Sequence, residues 1–272
     1  MVFIIRVSMI DFAINVEMLY PGMDICEKIE RVHAAGFQAI EFWGWQDKDL
    51  AKLKATCKHL GVKVRAFSGT GDWSLCDREH SGEYIDWIKK TIEVAKDLEC
   101  DTLILFPNHF TPNGCADFRS KYSHEAMIAN ITATLTRLAP VLEAANMTVL
   151  LEPICNIGSD GGMSVTDTSV GADIVRAVGS PSVKLLCDVF HMQMMHGKLL
   201  QNITDNMDIV PYVHIADAPD RHEPGTGEIH FDYLLPQLKA NGYDSTICFE
   251  YVPAGEAEEG FPAIKRLCDM LA

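Results

Sequence analysis

The sequence predicts a single α/β domain over residues 1–272, folded as a (β/α)8 TIM barrel. Three observations carry this reading. Eight short, β-rich apolar runs alternate with longer stretches of helical period. No G-x-G-x-x-G turn follows an early strand, as a doubly wound open sheet of this size would show; GTG at 69–71 leads into DWSLCD, not into a helix. No proline-rich linker or low-complexity segment divides the chain.

Taken in order, the expected strands are FAINVEM (12–18), QAIEFW (38–43), VKVRAFS (62–68), DTLILFP (101–107), MTVLLEP (147–153), VKLLCDV (183–189), YVHIAD (212–217) and TICFEYV (246–252). Between them, DICEKIERVHAA, KDLAKLKATCKHL, YIDWIKKTIEVAKDL and HEAMIANITATLTRLAPVLEAA repeat apolar residues every three or four positions, which is the helical period. Gly36, Gly61, Asn146 and Gly242 stand where helices turn back into the next strand, the left-handed stop that glycine and asparagine tolerate. HMQMMHG (191–197) reads as helical packing with methionine as filler.

Composition narrows the partners. Hydrophobic residues make up 48% and charged residues 22%, the balance of a soluble globular protein. A formal net charge of −15 repels phosphate backbones and anionic lipid, so neither nucleic acid nor membrane is an expected partner. Nine cysteines form no C-x-x-C pair, and several sit inside apolar runs, as small buried hydrophobes do in a reducing compartment. Arg6 and Asp11 interrupt the apolar N-terminal stretch MVFIIRVSMIDFAI and no small-residue cleavage site follows, which argues against a signal peptide and for the cytoplasm. Oligomeric state stays open; a homo-oligomer is compatible with this composition.

A barrel of this kind carries its site at the C-terminal ends of the strands. There the fifth strand ends in Glu152, the sixth in Asp188, the seventh in His214 and the eighth in Glu250. One such carboxylate is more often a helix cap. Four in succession, one of them a histidine, are hard to explain as caps. Like charges crowded at one mouth repel unless a cation sits among them or protons are retained. Three carboxylates and one imidazole form a hard, oxygen-rich set suited to Mn2+ or Mg2+.

Further candidates surround this set. His191 follows Asp188 by one helical turn, and Arg221 would offer a fixed positive charge for a substrate carboxylate or hydroxyls. Trp43, Trp45 and Trp73 follow the second and third strands and could wall one side of a pocket; Trp73 is taken as the substrate contact. In VHIADAPDRHEPGTGEIHFDYL, Gly225 and Gly227 permit a tight backbone path, and Glu223 and Glu228 hold the loop.

LLEPICN at 150–156, LLCDVFHMQ at 185–193, HIADAPDRHEPGTGEIHFDYL and CFEY at 248–251 resemble the hydroxypyruvate isomerase family, a branch of the xylose-isomerase-like barrels; EPGTGEI at 223–229 is the most specific piece. The resemblance implies a divalent metal held by Glu152, Asp188, His214 and Glu250. It also implies Glu152 and Glu250 as the proton-transfer pair, and substrate contacts from His191 and Arg221. Two positions depart from the pattern. Histidine at 214, where these isomerases often have glutamine, is typical of the related ketose 3-epimerases. Those epimerases in turn carry a second glutamate where this chain has Gly158.

The expected chemistry is removal of a proton beside a carbonyl to form an enediolate, with return of a proton to a neighbouring carbon. A divalent cation would stabilise the developing oxyanion. Hydroxypyruvate and tartronate semialdehyde, or a related oxo-acid sugar, are the expected pair, with a ketose 3-epimerase as the alternative. A sugar-acid dehydratase, a metal-dependent endonuclease of the same barrel class and a non-catalytic sugar-binding barrel are weaker readings. The acidic charge and the single histidine among the four groups weigh against the endonuclease.

Overall fold

A computed structural model describes residues 10–112, 114–156 and 162–271; Gly158 and the first nine residues of the N-terminal stretch lie outside the described residues. The eight expected runs each hold one strand of a parallel barrel: β1 (Asp11–Asn15), β2 (Ala39–Phe42), β3 (Lys63–Ser68), β4 (Thr102–Leu105), β7 (Thr148–Leu151), β8 (Val183–Asp188), β9 (Tyr212–Ile215) and β10 (Thr246–Phe249). The order β1-β10-β9-β8-β7-β4-β3-β2 closes on itself. Helices α1 (Ile25–Ala34), α2 (Leu50–Leu60), α3 (Ser81–Asp97), α4 (His124–Ala145), α5 (Thr168–Val178), α6 (Val189–Met195), α7 (Leu199–Thr204), α8 (Phe231–Ala240) and α9 (Ala257–Leu271) join and cover them. A short hairpin, β5 (Phe110–Thr111) and β6 (Gly114–Cys115), lies between β4 and α4 and was not expected from the sequence.

Side chains alternate between the two faces of a strand, and this positions the site. The barrel interior holds one layer with a residue from each strand: Ala13, Ala39, Ala66, Ile104, Leu150, Leu186, Tyr212 and Cys248. Three alanines from β1, β2 and β3 face larger side chains from the other strands, so the layer closes the barrel beneath the site. Two residues further along each strand, the same inward face presents Asn15, Glu41, Ser68, Phe106, Glu152, Asp188, His214 and Glu250. The opposite faces pack on the helices in one continuous core that includes Ile14, Phe42, Phe67, Leu151, Leu185, Val213 and Phe249. No helix among the described residues is long and apolar enough to cross a membrane.

Candidate active site

β7, β8, β9 and β10 are consecutive neighbours around the barrel, so Glu152, Asp188, His214 and Glu250 form one arc, with the two glutamates at its ends. All four are buried. One ligand atom from each lies within 4.8 Å of all the others. His214 Nδ1 faces three carboxylate oxygens, at 3.0 Å from Glu250 Oε2, 3.6 Å from Glu152 Oε1 and 3.8 Å from Asp188 Oδ2. None is aligned as its hydrogen-bond acceptor, and Nδ1 is a buried polar atom with no hydrogen-bond partner among the described residues. The other ring nitrogen is satisfied, since His214 Nε2 lies 2.9 Å from Glu41 Oε2. An imidazole bonded to a carboxylate on one side and turned toward carboxylate oxygens on the other matches the donor set of a hard divalent cation. The residues fit the metal that the sequence suggests.

Arg221 reaches this centre from the loop after β9. Its Nη2 donates to Glu250 Oε2 at 2.6 Å and to Asp188 Oδ2 at 3.0 Å, and Nη1 donates to His191 Nε2 at 3.1 Å. Because arginine only donates, His191 accepts at Nε2 and carries its proton on Nδ1, 3.0 Å from Cys155 Sγ. Burial drives His191 down to about 4, against the pull of Asp188, so the ring is neutral at pH 7.

Burial is also the largest influence on the two glutamates, and it raises both. At Glu152 it wins and pushes the carboxyl up to about 7. At Glu250 the charges of His214 and Arg221 and a hydrogen bond from Trp43 overcome it, holding the carboxyl well below its usual range. Burial works against a charge on His214, but Glu41 and Glu250 outweigh it and raise the imidazole well above its ordinary value.

A cavity of about 550 Å³ opens above the arc, lined by Glu152, His191, Arg221 and Glu250 on one side and by Met18, Trp43, Phe106 and Phe110 on the other. The three tryptophans separate here. Trp43 lines the cavity and its indole Nε1 donates to Glu250 Oε1 at 2.9 Å. Trp45 stacks on Trp87 with ring centroids 5.1 Å apart, and its Nε1 donates to Thr91. Trp73, expected at the substrate, is not among the lining residues; it packs on Trp87 at 5.9 Å. Apolar packing under the loops takes it instead.

The glycine-rich loop is built around Asp217, which is buried and accepts from the backbone amides of Ala218, Gly225 and Ile229. Gly225 has φ of +96°, and a side chain at Gly227 would collide with the Ala218 carbonyl. Glu223 Oε2 accepts from Ala254 N at 3.0 Å, and Glu228 Oε1 accepts from Gln193 Nε2 at 3.1 Å. This loop thus fixes the segment that carries Arg221.

Sequence reasoning missed Asn15 and Glu41, which the inward face of β1 and β2 brings to the same layer. Asn15 Nδ2 donates to Glu41 Oε1 at 2.7 Å and to Glu250 Oε1 at 3.2 Å. The available signal was the position itself, two residues beyond a small inward-facing alanine in each strand.

Fold and site together define a barrel protein with a carboxylate and imidazole centre at the C-terminal mouth. The chain belongs to the xylose isomerase-like TIM barrel family, whose model matches residues 29–267. Among curated proteins it is similar to the hydroxypyruvate isomerase of Escherichia coli, 29% identical over 93% of this chain and 97% of that one. It is also similar to the 2-oxo-tetronate isomerase of Cupriavidus necator, 26% identical over 93% and 97%. Among solved structures it resembles an AP endonuclease, family 2, from Brucella melitensis, with a TM-score of 0.85 and 24% identity over 95% of this chain and 99% of that one. A D-psicose 3-epimerase from Clostridium cellulolyticum gives a TM-score of 0.76 and 17% identity over 96% of both chains. At those identities the two structures speak for the fold alone.

Proposed function

We propose that this protein is a metal-assisted sugar-acid isomerase that interconverts hydroxypyruvate and tartronate semialdehyde, or a longer oxo-acid of the same pattern. The observation that carries it is the arc of Glu152, Asp188, His214 and Glu250 beneath one cavity, with two glutamates at its ends and Arg221 beside them. The curated relatives named above act, by name, on hydroxypyruvate and on 2-oxo-tetronate.

Glu152, Asp188, His214 and Glu250 would hold Mn2+ or Mg2+, which when bound supplies Lewis-acid stabilisation of developing negative charge on the substrate oxygens. The chain does the rest. One of Glu152 and Glu250 takes the proton from carbon three of hydroxypyruvate, leaving an enediolate. The other returns a proton to carbon two, while the carbon-three hydroxyl gives up its proton to the carbon-two oxygen, leaving an aldehyde at carbon three and a hydroxyl at carbon two. Because these glutamates stand at opposite ends of the arc, each can serve a different carbon. General acid–base transfer of this kind contributes roughly 10²–10⁴-fold. Arg221 would pair with the substrate carboxylate, and neutral His191 would accept from a substrate hydroxyl at Nε2 without adding charge. Trp43 and Phe106 exclude water from one side.

The test is turnover of the EDTA-stripped and Mn2+-reloaded protein on hydroxypyruvate, a four-carbon 2-oxo acid and a ketose such as D-psicose. Sugar-acid turnover that falls on stripping and returns on reloading is the expected result. Turnover of the ketose alone would make the protein an epimerase, in keeping with histidine at 214.

A further inference from the structure

Glu41 and Asn15 stand in the site layer without a part in the reaction above. Both are buried, Glu41 at 1% and Asn15 at 0% exposure, and both face the barrel interior from strands that carry no other acid or base of the centre. They are tied together in one sequence of bonds. The backbone amide of Glu17 donates to Asn15 Oδ1 at 2.9 Å, which fixes which end of the Asn15 amide is the carbonyl. Asn15 Nδ2 must then face the carboxylates, and it donates to Glu41 Oε1 at 2.7 Å. The second oxygen of the same carboxylate, Glu41 Oε2, meets His214 Nε2 at 2.9 Å.

With Asn15 donating to Oε1, the Glu41 carboxylate faces both neighbours as an acceptor, and the imidazole donates in that bond. We infer that Glu41, aligned by Asn15, is a positioning residue that fixes the neutral His214 ring with its hydrogen on Nε2 and its lone pair on Nδ1, toward Glu152, Asp188 and Glu250. This rests on the metal-binding reading of the centre, since the lone pair is what a cation needs. Histidine ligands elsewhere commonly carry such a carboxylate on the far nitrogen, and its loss costs about 10–100-fold in metal affinity. Cys248 also lies close to Glu41 and His214. The 2.9 Å bond between those two leaves no gap for a second ion.

The geometry makes an unusual demand on substitution. In Glu41→Gln, Asn15 still presents its N–H, so the glutamine must answer with its carbonyl and turn its NH2 toward His214 Nε2. The ring then accepts at Nε2 and carries its hydrogen on Nδ1, pointing into the carboxylates. Glu41→Ala imposes no such choice. Glutamine is the milder change for packing, yet it should be the more harmful one for metal binding.

The experiment is isothermal titration of the full chain with Mn2+ alone, paired with thermal melting. Glu41→Gln should bind Mn2+ about tenfold more weakly than Glu41→Ala, at the low end of that range, while melting at a higher temperature. Asn15→Ala added to Glu41→Gln frees the amide to turn, and Mn2+ affinity should recover relative to Glu41→Gln alone. A purely structural role predicts that alanine is worse in both measurements and that the second change adds to the damage; either result overturns the assignment. Nitrogen NMR of histidine-labelled, metal-free protein at alkaline pH reads the ring directly. Wild type should carry its hydrogen on Nε2 and Glu41→Gln on Nδ1, and a wild-type hydrogen on Nδ1 overturns the assignment. If wild type binds no Mn2+ at all, the metal reading of the centre falls, and the NMR arm still decides the role of Glu41.

Discussion

Arg221 and a divalent cation would compete for the same atoms, and that competition can be measured. Arg221 Nη2 holds Glu250 Oε2 and Asp188 Oδ2, the two oxygens that also face His214 Nδ1. Arg221→Met keeps an unbranched apolar side chain and removes the charge, the hydrogen bonds and the guanidinium's place over the Phe190 ring. Breaking a buried ion pair from one side costs about 3–5 kcal/mol, because a buried charge is left without a partner. Here His214 remains beside Glu250 and the His191 amide still donates to Asp188 Oδ1, so the cost belongs at the lower end, about 3 kcal/mol. For a chain of this length that is a fall in Tm on the order of 6 °C in the metal-free protein. Saturating Mn2+ supplies the missing charge to the variant, whereas in wild type it must first displace the guanidinium. Urea unfolding with and without Mn2+ should therefore show a gap of about 3 kcal/mol that shrinks to about 1 kcal/mol or less on loading. A gap that Mn2+ leaves unchanged would refute the shared-oxygen geometry.

Glu152→Gln and Glu250→Gln should each lower kcat by roughly 10²–10⁴-fold with far-ultraviolet circular dichroism unchanged; near-normal turnover in either removes it from the proton-transfer pair. Trp43→Phe removes the indole bond to Glu250 and should lower kcat/KM about tenfold, as loss of a hydrogen bond to a charged group does. Burial raises the Asp77 carboxyl, but bonds from His80, Lys121, Tyr122 and the Glu79 amide outweigh it and hold it at about 2. Its pKa is depressed on folding, so its contribution is present above the unfolded value and lost as pH falls through about 2. Asp77→Asn should thus cost about 2 kcal/mol in urea unfolding at pH 7, with the gap to wild type closing progressively as acid is added. A Cβ at Gly171 would come within 2.7 Å of Leu185 Cδ1 and 2.9 Å of Pro153 Cγ, so Gly171→Ala should cost about 1–3 kcal/mol and, by displacing the residue after Glu152, reduce turnover as well.

The barrel was legible because its signal is repetitive. Eight apolar runs separated by helical stretches leave few alternatives, and capping positions such as Gly61 and Asn146 fall where the helices stop. Glu152, Asp188 and Glu250 could be picked out because each is an acid directly after three apolar residues, VLL, LLC and ICF. Glu41 follows only Ala39 and Ile40, so its carboxylate is hidden inside QAIEFW. Asn15 follows FAI but carries no charge to mark it. Counting two residues forward from each inward alanine would have found both. Trp43, Trp45 and Trp73 look alike in sequence because each follows a strand. Only the packing of Trp87 between Trp45 and Trp73 separates them from the cavity. The β5–β6 hairpin has two-residue strands, too short for any period to register.

Proton transfer between two different carboxylates is the central step. Its most direct test is turnover of hydroxypyruvate by the Mn2+-loaded protein in D2O, followed by proton NMR. A proton taken by one glutamate and replaced from the other cannot be the same proton, so tartronate semialdehyde should form with deuterium at carbon two. Tartronate semialdehyde that retains the original hydrogen at carbon two would mean that one group carries the same proton to both carbons or that hydrogen passes directly between them. Glu152 and Glu250 would then not act as a two-residue relay.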